Sequence, residues 1–278
     1  MVWADAHRSR QVCPDLRNST ETARVTERWI QLAGACNVRD LGGLSLRDGG
    51  VTRSRVVLRA DALDGLTAED VTALADAFGL RHVIDLRSDG ERVERGRGLL
   101  GDRVVAYTEV EVVPSDALGA RQAAREERFA NGDEPAAIMA DGYMHLLELG
   151  GPAFAQAVNA LAEEGGTPAL FHCSAGKDRT GVLAALLLDV AGVEHDAIVA
   201  DYALTTERVD AVFARLRGAQ WFSRLAEEVP AFVFGSEAAT MSAFLAALAD
   251  RWGDAGTYLT SVGATGQSLE TVRQTLRN

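Results

Sequence analysis

The stretch that most constrains this chain is FHCSAGKDRTGVLAALLLDV, Phe171 to Val190. With TPAL directly before it, an apolar run passes through a polar loop into a run of helix formers, which predicts strand, tight loop and helix. That joint aims successive backbone N–H groups and a helix N-terminus at one spot, the arrangement with which proteins bind phosphate or sulfate oxygens. Gly176 permits a turn that a Cβ would hinder, and Gly181 lets the helix pack closely.

Within this cradle sits Cys173. A free thiol has a pKa of about 8.5, and at a helix N-terminus beside cations it falls by several units, giving a thiolate nucleophile at neutral pH. Arg179 lies six residues on, where the loop can return it to the same anion, and its planar fork suits two phosphate oxygens. Three other readings of the stretch fit its residues less well. A nucleotide P-loop needs G-x-x-x-x-G-K-[ST], but Phe171 stands at its first glycine and Asp178 replaces the Ser/Thr. Zinc could draw on His172 and Cys173, yet adjacent residues ligate poorly together and the sequence holds no second Cys/His cluster. A structural cysteine before a polar loop leaves His172, Gly176, Arg179 and Thr180 at their fixed offsets unexplained. Lys177 is the only lysine among the 28 Lys and Arg residues, and beside the cradle it is expected to add positive potential.

The chain has 278 residues, is 47% hydrophobic and carries a formal net charge of −12. That is ample for a core and wrong in sign for a general nucleic-acid binder, which neutralises phosphates with a basic face. Any anion must be captured locally. Three cysteines, Cys13, Cys36 and Cys173, are too few and scattered for a disulfide framework, so a reducing cytoplasm is the expected location. The N-terminus shows no apolar signal region, and the longest apolar run, Val182 to Leu188, is too short to span a bilayer. Export by another route stays open.

Along the chain, Leu41 to Asp61 reads as strand, tight turn at Asp48-Gly49-Gly50 and second strand. Thr67 caps a helix that runs to Gly79, followed by the strand RHVIDLRS with Asp85, Arg87 and Ser88 at its carboxyl end. Val104 to Val113 reads as a further strand ended by Pro114. Two helix patterns follow, Ala117 to Ala130 and Ile138 to Leu147, then a separate helix begun by Pro152. Beyond residue 180 the patterns are helical throughout. No repeat or linker breaks the chain, which points to one domain over 29–278 after a loose arm at 1–28.

HCSAGKDRTG resembles the H-C-x-x-G-x-x-R-[ST] signature of cysteine-dependent protein tyrosine and dual-specificity phosphatases. Its G-K-D-R form is similar to that of a bacterial subgroup with mycobacterial members. Further segments similar to that subgroup are NVRDLGG (Asn37 to Gly43), LRAD (Leu58 to Asp61), GLRHVIDLRS (Gly79 to Ser88) and IVADYALT (Ile198 to Thr205), in the same order. The likeness runs from about residue 33 to the C-terminus and is weakest over 114–150.

The resemblance implies an α/β, protein tyrosine phosphatase-like fold: a central, mainly parallel sheet flanked by helices, with a helical C-terminal part. It implies hydrolysis of phosphate monoesters through a cysteinyl-phosphate, with phosphotyrosine in proteins as the leading substrate and dual-specificity and phosphoinositide activity as extensions. A phosphatase of a small metabolite, such as a nucleotide or sugar phosphate, is the alternative. Cys173 would attack phosphorus. Arg179 and the amides of Ser174, Ala175, Gly176, Lys177, Asp178 and Arg179 would hold the equatorial oxygens. His172 would orient the loop with Arg59 in support, and Thr180 would hydrogen-bond the Cys173 sulfur. No metal or other cofactor is implied; the partner is a phosphorylated protein or small phosphate monoester, not nucleic acid, and the oligomeric state is left open. Two carboxylates compete as general acid. Asp85 is preferred, because a group on a separate strand can approach the leaving oxygen from outside the cradle, and Asp178 inside the loop is the other candidate. In relatives G-K-x-R loops go with phosphoinositide turnover, which would give Lys177 a part in reading substrate charge. The segment 114–150 would be a helical lid or an ordinary helical connection.

Overall fold

The computed structural model describes residues 28–103, 106–113, 127–217 and 231–277, and the strand–loop–helix unit lies at its centre. In chain order the principal elements are β1 (Arg39–Asp40), β2 (Val57–Ala60), α1 (Ala68–Thr72), β3 (His82–Asp85), α2 (Asp89–Arg95), β4 (Ala106–Glu109), α3 (Pro135–Ala162) and β5 (Ala169–His172). The described elements that follow are helices: α4 (Asp178–Ala191), α5 (His195–Ala203), α6 (Val209–Leu216), α7 (Ala238–Trp252), α8 (Ala255–Ser261) and α9 (Gly266–Leu276). The sheet has the order β1-β2-β5-β3-β4. β1 runs antiparallel to β2, and the other pairings are parallel.

β5 is therefore flanked by strands on both sides, and its residues alternate between two cores. Val57, Ile84 and Phe171 face a large core with Phe154, Leu187 and Phe244, while Leu58, Val83 and Leu170 face a smaller one with Leu63 and Leu74. Strands covered on both faces read as continuous apolar runs, which is why ALFH and HVID were legible. The mainly parallel α/β sheet expected from the sequence is the one observed. Thr67 caps α1 with a capping box to Asp70; the helix continues as a π-turn, Ala73–Phe78, and ends at Gly79 with φ 80°. Among the described residues no helix is long and apolar enough to cross a membrane.

Three expectations change. Pro152 does not start a helix but lies inside α3, which runs on through Gly150 and Gly151. A Cβ on Gly150 would come within 2.6 Å of Val112, and one on Gly151 within 2.8 Å of Val262. Close packing on both sides thus keeps the helix going past its missing N–H, and the Tyr258 hydroxyl donates to the Leu147 carbonyl in the same turn at 2.8 Å. Second, within residues 135–150 the side chains of Ile138, Met139, Tyr143, Leu146 and Leu147 are buried in the core. Residues 114–126, most of the helix pattern from Ala117, lie outside the described residues, as do 1–27 of the proposed arm. Arg28, at the end of that arm, is anchored on Asp201. Third, the Asp48-Gly49-Gly50 turn forms, with its limbs joined at the Ser45–Val51 bridge and by backbone bonds of Thr52 to Leu44 and Gly43, but β2 pairs with Arg39–Asp40 and β5 and not with the first limb. The helices α2 and α8 were not anticipated.

Leu187 on α4 is fully buried in the large core. Leu187→Ala should lower unfolding free energy by about 2–5 kcal/mol, read as a drop in the urea midpoint at unchanged m-value.

Candidate active site

β5 delivers His172 and Cys173 to the carboxyl edge of the sheet, and α4 begins five residues after the thiol. Cys173 is only 2% exposed, so it lies at the floor of the loop. Gly176 turns the chain with φ 67°, and a Cβ there would stand 2.6 Å from the Ala60 carbonyl oxygen. No other residue fits that approach. The loop carbonyls are drawn to the scaffold side. Asn37 Nδ2 donates to the carbonyls of Ala175 (3.1 Å) and Gly176 (3.2 Å), Arg59 Nη2 donates to Gly176 (3.0 Å), and the Ala62 amide donates to Ser174 (3.1 Å). Among the described residues the amides of Ser174, Ala175, Gly176, Lys177 and Arg179 donate to no protein acceptor. A loop with its carbonyls bound outward and its N–H groups left unpaired is an anion cradle.

The donors that hold those carbonyls are themselves held by Asp201 of α5. Arg59 Nη1 meets its Oδ2 at 2.6 Å, Arg39 Nε its Oδ1 at 3.2 Å, and Arg28 binds the same Oδ1. Arg39 also reaches the Asp201 carbonyl (2.8 Å), Thr205 Oγ1 (3.1 Å) and Asn37 Oδ1 (2.5 Å). Burial opposes the Asp201 charge, but Arg39, Arg28 and Arg59 outweigh it and hold the carboxyl far below the usual range. The segments NVRDLGG, LRAD and IVADYALT thus form one buried frame around the loop.

Arg179 is aimed by a residue the sequence reading passed over. Its two terminal nitrogens meet Glu91 of α2 as a fork, Nη1 to Oε2 at 2.6 Å and Nη2 to Oε1 at 2.8 Å, and Nη1 also donates to the Leu86 carbonyl at 3.2 Å. Ser174 Oγ donates to Glu91 Oε1 at 2.5 Å, so the carboxylate ties the loop to its arginine. Burial works against Glu91, but Arg179 and Ser174 hold its pKa down to about 2. The signal in the sequence was Ser88-x-x-Glu91, a capping box that the structure realises at α2.

The other candidate residues sit in distinct surroundings. Asp85 is fully buried, beside His172 in the sheet register, with its oxygens bound by Arg87 (2.7–3.1 Å) and by the Tyr107 hydroxyl (2.8 Å). Burial disfavours its charge, but His172 and Arg87 outweigh that and hold the carboxyl well below the usual range. Asp85 is thus enclosed by Arg87 and Tyr107, whereas the other acid candidate, Asp178, is the more exposed of the two. Asp178, 40% exposed, lies at the first position of α4, and its Oδ1 accepts from the Tyr143 hydroxyl at 2.7 Å. Lys177 is 3% exposed, and its ammonium turns to the carbonyls of Val233 and Gly235 (3.0 Å for the latter) and to Asp178 Oδ1 (3.3 Å). It latches a neighbouring segment instead of facing an incoming anion. Thr180 is buried, and its hydroxyl makes no hydrogen bond in this structure, so the expected bond to the Cys173 sulfur is not formed. His172 is buried with Nδ1 at 3.2 Å from the Cys173 carbonyl, and burial lowers its pKa towards the neutral ring. Cys173 and Cys36 form no disulfide, and Cys13 lies outside the described residues.

Glu91 contributes stability fully above its ordinary pKa of 4.5, and that contribution is lost as pH falls through about 2. Glu91→Gln should therefore destabilise the protein by about 3 kcal/mol at pH 7, with the gap to the parent narrowing between pH 4.5 and 2. Urea midpoints at pH 7 and pH 3 measure this, and an undiminished gap at pH 3 would contradict it.

Residues 30–278 match the model of the Tyrosine phosphatase family. The chain is 28% identical over 279 residues to the Triple specificity protein phosphatase PtpB of Mycobacterium tuberculosis, an alignment covering 88% of this chain and 98% of that protein. It is 31% identical over 153 residues to the Tyrosine-protein phosphatase of Nostoc commune, covering 55% of this chain and 49% of the relative. Among solved structures, TpbA of P. aeruginosa aligns over 80% of this chain and 86% of its own at 17% identity and a TM-score of 0.29, too distant to bear on the fold. A match that spans the cradle and every element bracing it makes this chain a member of the tyrosine phosphatase family, and a phosphatase.

Proposed function

We propose that the chain hydrolyses phosphotyrosine in proteins through a cysteinyl-phosphate intermediate on Cys173. The observation that carries this reading is the cradle of unpaired amides with Cys173 at its floor and Arg179 already forked onto Glu91. The Cys173 thiolate attacks phosphorus, the S–P bond forms as the ester P–O bond breaks, and the leaving oxygen takes a proton from Asp178. Water, activated by the resulting Asp178 carboxylate, then attacks the phosphoenzyme, the S–P bond breaks and inorganic phosphate leaves. Arg179 and the amides of residues 174–179 bind the equatorial oxygens where charge concentrates. Thr180, whose buried hydroxyl makes no hydrogen bond in this structure, would donate to the sulfur during turnover.

A thiol 2% exposed favours a long aryl phosphate over the shorter phosphoserine or phosphothreonine. The triple specificity named for the mycobacterial relative supports testing both of those and phosphoinositides. Lys177 lends that extension no help, because its ammonium is occupied by the carbonyls of Val233 and Gly235.

Cys173→Ser should lower turnover of p-nitrophenyl phosphate and of phosphotyrosyl peptides by about 10³-fold or more, and acid quench of the parent should trap phosphate on Cys173. A serine variant that keeps turning over would overturn the mechanism. Asp178→Asn should cut hydrolysis of phenyl phosphate by about 10²-fold while sparing activated aryl phosphates. Asp85→Asn should act on stability, since it leaves Arg87 buried without its charge partner.

A further inference from the structure

We propose that Lys177 is a specificity-determining residue: its ammonium clamps the backbone of residues 233–235 beside the catalytic loop, and the wall so fixed admits slender aryl phosphates while turning away esters that are broad next to the bridging oxygen. The inference rests on the phosphatase reading of the cradle and names what limits its substrates.

Lys177 is the only lysine among the 28 Lys and Arg residues. It is 3% exposed, too deep for a solvated loop cation. The carbonyls of Val233 and Gly235 accept from Nζ, the latter at 3.0 Å, and Asp178 Oδ1 stands 3.3 Å from it. An ammonium has three N–H donors, and three protein oxygens surround this one, so no donor is left over to read a substrate's charge. Its donors also point in three separate directions, which suits a tie between two segments; an arginine would hold its donors in one plane.

The clamped segment runs across one flank of the loop. Ala231–Phe234 forms a 3₁₀ turn lying against α3, where the Phe232 ring meets Phe129 with centroids 4.9 Å apart. At the other end the Phe234 ring meets Phe213 of α6 edge-on (4.9 Å, 77°), in an apolar cluster that takes in Ala175 of the catalytic loop. Ser236 Oγ then donates to the Tyr202 carbonyl at 2.9 Å, and the Ser236 carbonyl accepts from the Thr206 hydroxyl at 3.1 Å. Between these anchors, Lys177 is the polar tie to the catalytic loop. Ala175 and Lys177 belong to the loop whose amides face the anion, so the backbone they hold stands as a wall along that side of the cradle, with Cys173 only 2% exposed. Such a wall does not yield as a side chain would, because moving it strips a buried ammonium of its acceptors. Its position bears on the part of the ester nearest phosphorus. A ring substituted at the ortho position meets the wall, and one substituted at the para position passes it.

The pair 2-nitrophenyl phosphate and 4-nitrophenyl phosphate isolates width, since both carry the same charge and release phenols of nearly equal acidity. The parent should favour the para ester in kcat/KM by about tenfold, and Lys177→Met, which keeps the chain length and removes the donors, should shrink that preference to about twofold. The preference is a ratio within one enzyme, so a loss common to both esters drops out of it. Phe234→Ala, which frees the same segment from Phe213, should shrink the preference in the same direction, and adding Lys177→Met to it should change little more, because both substitutions act through one segment. A parent without para preference would overturn the proposal and leave the phosphatase reading in place. So would a Lys177→Met protein that loses equally on both esters, as a reader of charge would, a Phe234→Ala protein with the parent's preference, or fully additive effects of the two substitutions. Turnover of both esters by Cys173→Ser would instead overturn the cysteinyl reading.

Discussion

The structure depends on the buried Asp201 carboxylate and the three guanidinium groups of Arg28, Arg39 and Arg59 that share it. Buried ion pairs contribute little net stability, because desolvation offsets most of the attraction. Their value here is orientation. Asp201 leaves Arg59 one Nη group for the Gly176 carbonyl, and Arg39 aligns Asn37, which holds the carbonyls of Ala175 and Gly176. Removing the hub would free the donors that turn the loop inside out. Three cations against one anion also leave positive charge behind the cradle, so a protein of net charge −12 can still attract a phosphate locally.

A second division of labour runs between carboxylates. Asp85, Glu91 and Asp201 are buried and paired with arginine, and each orients its partner. Asp178 alone of the four is substantially exposed, and its Oδ1 accepts from the Tyr143 hydroxyl and lies 3.3 Å from the Lys177 ammonium. Pairing with buried guanidinium groups keeps the first three ionised, whatever their distance from the chemistry. Arg179 is pre-aimed in the same manner: Glu91 restrains its fork before any substrate arrives, so little ordering remains to be done on binding.

What the sequence determined by itself rests on short-range spacing. The strand–loop–helix joint, the thiol and arginine six residues apart, the need for glycine at 176 and the apolar runs of a doubly covered sheet depend on neighbours within a turn or a strand. Those features sufficed for the α/β fold and for the position of the cradle. Which partner each polar side chain finds is a matter of distance in space, and there only the tertiary structure decided. Glu91 meets Arg179 across 88 residues, Tyr143 meets Asp178 across 35, and Lys177 reaches Gly235 across 58. Tyr143 reads in sequence as one more apolar residue on a core helix, and Lys177 as a cation beside a phosphate loop. Packing turned the first towards Asp178 and the second towards the carbonyls of Val233 and Gly235, because a buried polar group takes whichever partner the fold brings within hydrogen-bond reach.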